Sequence, residues 1–62
     1  MNKIIKQTCL GYSADGRTSY WQDDWQDGTS TYMECIAVEN ADGTIGTLRN
    51  SVDELPLVAR PA

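Results

Sequence analysis

Tyr20-Trp21-Gln22-Asp23-Asp24-Trp25-Gln26-Asp27-Gly28 repeats Trp-Gln-Asp after four residues and gathers both tryptophans of a 62-residue chain with three of its nine acids. Residues four apart share a face of a helix and, because four is even, also a face of a strand, so the repeat alone does not fix the element. Its surroundings do. Thr18, Ser19, Tyr20 and Trp21 are weak helix formers, and three acids just ahead of Gly28 would oppose the negative end of a helix. The stretch therefore reads as a strand running out into a loop. Trp21, Asp23, Trp25 and Asp27 then take one face and Tyr20, Gln22, Asp24 and Gln26 the other.

Outward from this strand the punctuation is regular. Asp15-Gly16, Asp27-Gly28 and Asp42-Gly43 each separate segments rich in Thr, Ile, Val, Tyr and Trp. Asp-Gly suits two-residue hairpin turns in which both residues take positive φ. Three hairpins imply four strands, placed near Ile4 to Tyr12, Thr18 to Trp25, Ser30 to Glu39 and Thr44 to Arg49. In "NSVDELPLVARP" Asn50 or Ser51 caps a single turn carrying Val52 and Leu55, and Pro56 ends it. A 3₁₀ turn leading into a short last strand is expected. The core is expected to draw on Ile4 or Ile5, Leu10, Ile36, Val38, Ile45, Leu48, Val52, Leu55 and Val58.

The expected fold is thus all-β: a single domain over 1–62, a small antiparallel meander of four to five strands with a 3₁₀ turn before the last. "DGTIGTLRNSVDEL", residues 42 to 55, resembles the tail of many SH3-like domains: Gly, apolar, Gly, apolar, a short turn and a final aliphatic strand. The resemblance implies a small SH3-like barrel. It does not imply SH3-type peptide recognition, because "TCLGY" and "RNSVD" stand where that groove has an Ala-Leu-Tyr-type strand and a Pro. A curved antiparallel sheet that closes only by dimerising would use the same hairpins.

Size and charge narrow the function. A chain this short buries only about 60% of the surface its unfolded form exposes, so a homodimer or larger assembly is expected. The formal charge of −4 and the scattering of Lys3, Lys6, Arg17, Arg49 and Arg60 argue against direct binding to nucleic acid. The apolar start is broken by Lys6, Gln7 and Thr8, so neither an export signal nor a membrane helix is read and a cytoplasmic, reducing location is expected. Cys9 and Cys35 are then free thiols. With two distant Cys and no His, zinc is not expected. Asp23, Asp27, Gly28 and Glu34 fall at EF-hand-like positions 1, 5, 6 and 12, but Trp25 fills position 3 and offers no oxygen, so calcium is a minor alternative and no cofactor is expected.

No catalytic set is visible. The chain lacks His, and no Ser or Cys has an identifiable base. A non-enzymatic protein-binding module is the leading expectation. Tyr20, Asp23, Asp24, Trp25, Asp27 and Tyr32 form its aromatic-acidic surface, aimed at a basic patch on a host protein, while Trp21 anchors the core. In size and character the chain resembles the short inhibitors that bacteriophages and plasmids carry against host enzymes. A second class is a nucleotide- or metabolite-sequestering oligomer, with Trp21, Trp25 or Tyr32 stacking on a ring and Arg17, Arg49 or Lys6 meeting its charge. A structural or assembly subunit is a third.

Overall fold

The computed structural model describes residues 1–62 and contains five strands: β1 Ile4–Tyr12, β2 Thr18–Trp25, β3 Ser30–Glu39, β4 Ile45–Val52 and β5 Arg60–Pro61. They form one antiparallel sheet in the order β4-β3-β2-β1-β5. The first three strands lie where the sequence places them. β4 begins one residue later and runs three residues further than expected.

Each hairpin is built around its Asp-Gly pair, but not as a two-residue turn. Only glycines have positive φ, with Gly16, Gly28 and Gly43 at 74°, 88° and 86°. Trp25 N–H donates to the Thr29 carbonyl at 2.8 Å and Asn40 N–H to the Thr44 carbonyl at 2.8 Å, closing three-residue loops. Inside them Gly28 N–H reaches the Trp25 carbonyl and Gly43 N–H the Asn40 carbonyl, both at 3.0 Å. These are turns followed by a left-handed glycine, the usual three-residue solution. The first loop is one residue longer, closed by Ser13 N–H to the Thr18 carbonyl at 2.9 Å.

Aspartate supplies the remaining support. Asp15 Oδ1 accepts from Arg17 N–H (3.0 Å) and Ser13 Oγ (2.5 Å). Asp27 Oδ1 accepts from Thr29 N–H (3.0 Å) and Oγ1 (2.6 Å), and Asp42 Oδ1 from Thr44 N–H (3.1 Å) and Oγ1 (2.7 Å). An Asp oxygen turning back onto the N–H two residues on rigidifies a turn without demanding positive φ of the Asp itself. The hydroxyl of Ser13 at Asp15, of Thr29 at Asp27 and of Thr44 at Asp42 is the main cause holding each carboxyl below its ordinary range.

The sheet does not close into a barrel. β4 and β5 are its two edges and do not pair with each other. The expected 3₁₀ turn is also absent, since Asp53 and Glu54 form only a bend. The would-be cap residues serve the strand instead: Asn50 pairs with Glu34 and donates Nδ2 to its Oε1 at 3.3 Å, while Ser51 pairs with Met33. β5 is two residues long, and Pro56 and Pro61 have no N–H to give to a longer ladder.

β5 is seated by Gly11. This residue has φ +143° and pairs with both Tyr20 and Pro61, and an added Cβ would collide with the Arg60 carbonyl oxygen and Val58 Cγ1. The C-terminal segment thus fills the space that a side chain at Gly11 would take. Ala62 N–H reaching the Leu10 carbonyl at 3.3 Å completes the docking.

No apolar core forms. Only Gly11 and Asp23 are buried, and no hydrophobic residue is. Of the expected core, Ile5, Ile45, Leu55 and Leu48 are exposed, as are Ile4 and Val38, while Leu10, Ile36, Val52 and Val58 are half-buried. A single sheet has no second layer to press against, and here the apolar residues divide between its faces. The molecule is a plate measuring 40 × 27 × 18 Å.

Candidate functional site

Cross-strand partners share a face, so the register sorts the side chains into two surfaces. One is a tryptophan face. Across it run the rows Gln7-Asp23-Thr31, Cys9-Trp21-Met33-Ser51 and Tyr12-Ser19-Cys35-Arg49, with Ile4 beside Trp25 at one end and Ala37 beside Thr47 at the other. The opposite, tyrosine face carries the rows Lys6-Asp24-Ser30, Thr8-Gln22-Tyr32-Val52, Gly11-Tyr20-Glu34-Asn50 and Thr18-Ile36-Leu48, with Val38 beside Gly46 at its end. Irregularities in β1 between Ile4 and Lys6 and between Cys9 and Gly11 shift its alternation, which is how Ile4, Gln7, Cys9 and Tyr12 all reach the tryptophan face.

The six residues singled out in the sequence therefore do not form one surface. Asp23 and Trp25 are on the tryptophan face; Tyr20, Asp24 and Tyr32 are on the tyrosine face; Asp27 is in a hairpin loop. Tyr32 also borders a groove that opens beside Trp25. The EF-hand-like trio is separated in the same way, with Asp23 and Glu34 on opposite faces. No group of three carboxylate or thiol side chains gathers where a metal could sit.

Asp23 is the sharpest departure. Instead of lying in solvent it is only 2% exposed, the largest fully buried side chain of the molecule. Gln7 Nε2 donates to its Oδ1 at 3.1 Å, and Trp21 and Trp25 flank it two residues to either side on the same face. Burying a carboxylate is costly unless it is hydrogen-bonded, and Gln7 meets part of that need. The alternation Trp-x-Asp-x-Trp signals the shared face; the burial depends on β1 and β3 on either side.

The two indoles are also more alike than expected. Both are half-buried on one face, and each N–H is satisfied locally, Trp21 Nε1 by Ser19 Oγ at 3.0 Å and Trp25 Nε1 by Thr31 Oγ1 at 2.8 Å. A division into one core and one surface tryptophan does not hold.

Two grooves cross this face. One of 310 Å³ is lined by Trp21, Met33, Cys35, Gln7, Asp23 and Arg49 among others; a second of 430 Å³ opens at the end where Ile4 lies beside Trp25, between Trp25, Met33 and Asp53, and is bordered also by Ser30, Tyr32 and Val52 of the other face. Cys9 and Cys35 are free thiols, both half-buried. The contact with Cys9 raises the Tyr12 hydroxyl above its ordinary pKa.

On the tyrosine face the polar groups are organised among themselves. Asp24 Oδ1 accepts from Gln22 Nε2 at 2.9 Å and Ser30 Oγ at 2.7 Å. These two donors, Gln22 first, outweigh desolvation and with the Lys6 charge hold the Asp24 carboxyl below its usual range. Tyr20 lies directly across from Glu34, and Tyr32 directly across from Gln22, so the two phenols are diagonal neighbours. Glu34 and Gln22 are members of this surface that the sequence reading did not select. The two-residue period already puts Gln22 beside Tyr20 and Asp24, and along β3 it puts Glu34 beside Tyr32.

Comparison with protein-family models, with curated proteins and with solved structures finds no match to this chain.

Proposed function

We propose that the protein is a non-enzymatic protein-binding module, an inhibitor of the small phage- or plasmid-borne type, that docks its tyrosine face onto a basic patch of a host protein. The observation that carries this reading is the contiguous set Tyr20, Tyr32, Gln22, Asp24 and Glu34 on adjacent strands, in which hydrogen bonds from Gln22 and Ser30 lower the Asp24 carboxyl pKa. Rigid phenols with fixed hydrogen-bond acceptors are typical anchors at interfaces, and acids speed encounter with a basic partner. This keeps Tyr20, Asp24 and Tyr32 of the surface expected from sequence, adds Gln22 and Glu34, and leaves Asp23 and Trp25 to the other face and Asp27 to its hairpin loop. Affinity capture from the native host, with the wild type beside Tyr32→Ala and Asp24→Asn, tests it. One protein retained at low salt, and lost by both variants, is the expected result. Capture that ignores both variants overturns it.

A second reading has its own observation: Trp21, Met33 and Arg49 line one groove, and its 310 Å³ is of the size that holds a small planar ligand. A nucleotide or metabolite stacked on Trp21 with its anion at Arg49 would raise the melting temperature in a ligand screen. No such rise is expected if the protein-binding reading holds.

A further inference from the structure

We infer that the tryptophan face is covered by a second copy of this chain, making a two-layer homodimer that leaves two tyrosine faces outward. Three observations meet here. First, the chain has no buried hydrophobic residue, although a sheet gains stability by pressing one face against another layer.

Second, the exposed area exceeds that of a typical compact monomer and the excess has the size of an interface. A compact 6.9 kDa chain exposes about 4,000 Å² on the usual scaling, whereas this one exposes 4720 Å². The surplus of about 700 Å² is close to the roughly 800 Å² that each partner contributes to a standard interface. Two copies would together remove about 1,400 Å², within the range of stable complexes.

Third, charge permits a like partner on this face. The chain carries −4, yet the tryptophan face is nearly neutral. Asp23 and Glu39 on it are matched by Arg49 and, at the margin by Ala37 and Ile45, by Arg17, with Asp53 alone at the opposite margin. The other acids lie in the hairpin loops, on the tyrosine face or in the C-terminal segment. Two such faces can approach without the repulsion that the whole chain's charge suggests, and a two-fold axis lets Arg49 of each copy meet acid of the other. The sheets would stack about 10 Å apart, with Trp21, Trp25 and Met33 interdigitating.

Sedimentation equilibrium and thiol labelling test this together. At about 100 µM, above the micromolar constants at the weak end for interfaces of this size, the pure protein is expected at twice the 6.9 kDa chain mass. Labelling of Cys35 by a bulky maleimide is expected to slow at least tenfold relative to the dilute protein. Thr47→Arg places a charge on an exposed position of this face and is expected to weaken association tenfold or more, restoring fast labelling; Asn50→Lys, on the same strand but the other face, is expected to leave the dimer intact. A folded monomer at that concentration overturns the inference. So does a dimer that leaves Cys35 fully reactive, or protection of Cys35 that requires a different protein. The labelling of the wild type decides the matter even if Thr47→Arg fails to fold.

Discussion

The two faces of this sheet share the same backbone and differ in how their polar groups are settled. On the tryptophan face Asp23 is sunk between two indoles with a single neutral donor, and the large side chains around it look into open grooves. On the tyrosine face Asp24, its neighbour in sequence, has two donors and the Lys6 charge and sits in a polar cluster that is hydrogen-bonded among its own members. One face gathers both indoles and the grooves; the other joins its polar cluster to an aliphatic strip of Ile36, Val38 and Leu48. Adjacent carboxylates can thus belong to different problems, one of assembly and one of recognition.

The largest effect is expected where the tail meets the sheet. Gly11→Val puts a branched side chain into the space of Val58 and the Arg60 carbonyl at a backbone φ that side chains avoid, and is expected to cost about 3 kcal/mol or more. Urea unfolding and protease release of the last residues check it. Next come the indoles: Trp21→Ala and Trp25→Ala should each lower stability by about 2 kcal/mol, nearly alike, since each is half-buried on the same face. A difference of more than about 2 kcal/mol between them would restore the division into core and surface tryptophans.

Tyrosine-face variants should behave in the opposite way. Tyr32→Ala is expected to weaken partner binding more than tenfold with little change in the urea midpoint, and Asp24→Asn to slow association mainly at low salt. If either variant instead dissolves the dimer, the assignment of roles to faces is reversed.

The smallest effect is the pH response of the hairpins. Asp15, Asp27 and Asp42 have depressed carboxyl pKa values, so the unfolded chain binds protons before the folded one does. Their contribution is present above the ordinary Asp range and is lost as pH falls through and below it. Melting temperature should therefore be flat from neutral pH down to about pH 5 and decline below about pH 4. Asp42→Asn should shallow that acid limb slightly.

Local chemistry determined most of the architecture. Asp-Gly pairs, β-branched runs and two-residue alternation act over a few neighbours, which is why the first three strands are legible to the residue and why Trp21, Asp23 and Trp25 share a face as their spacing demands. What no local rule contains is the sum over distant partners. The shifted alternation of β1, the use of Asn50 and Ser51 as strand rather than cap, and the docking of Val58 on Gly11 each depend on what lies across the sheet. Burial is decided at the same level: Leu48, Ile45 and Leu55 look like core residues because they are apolar, but a side chain is buried only if another layer meets it. Within one chain that layer is missing, and so the most hidden side chain is an aspartate.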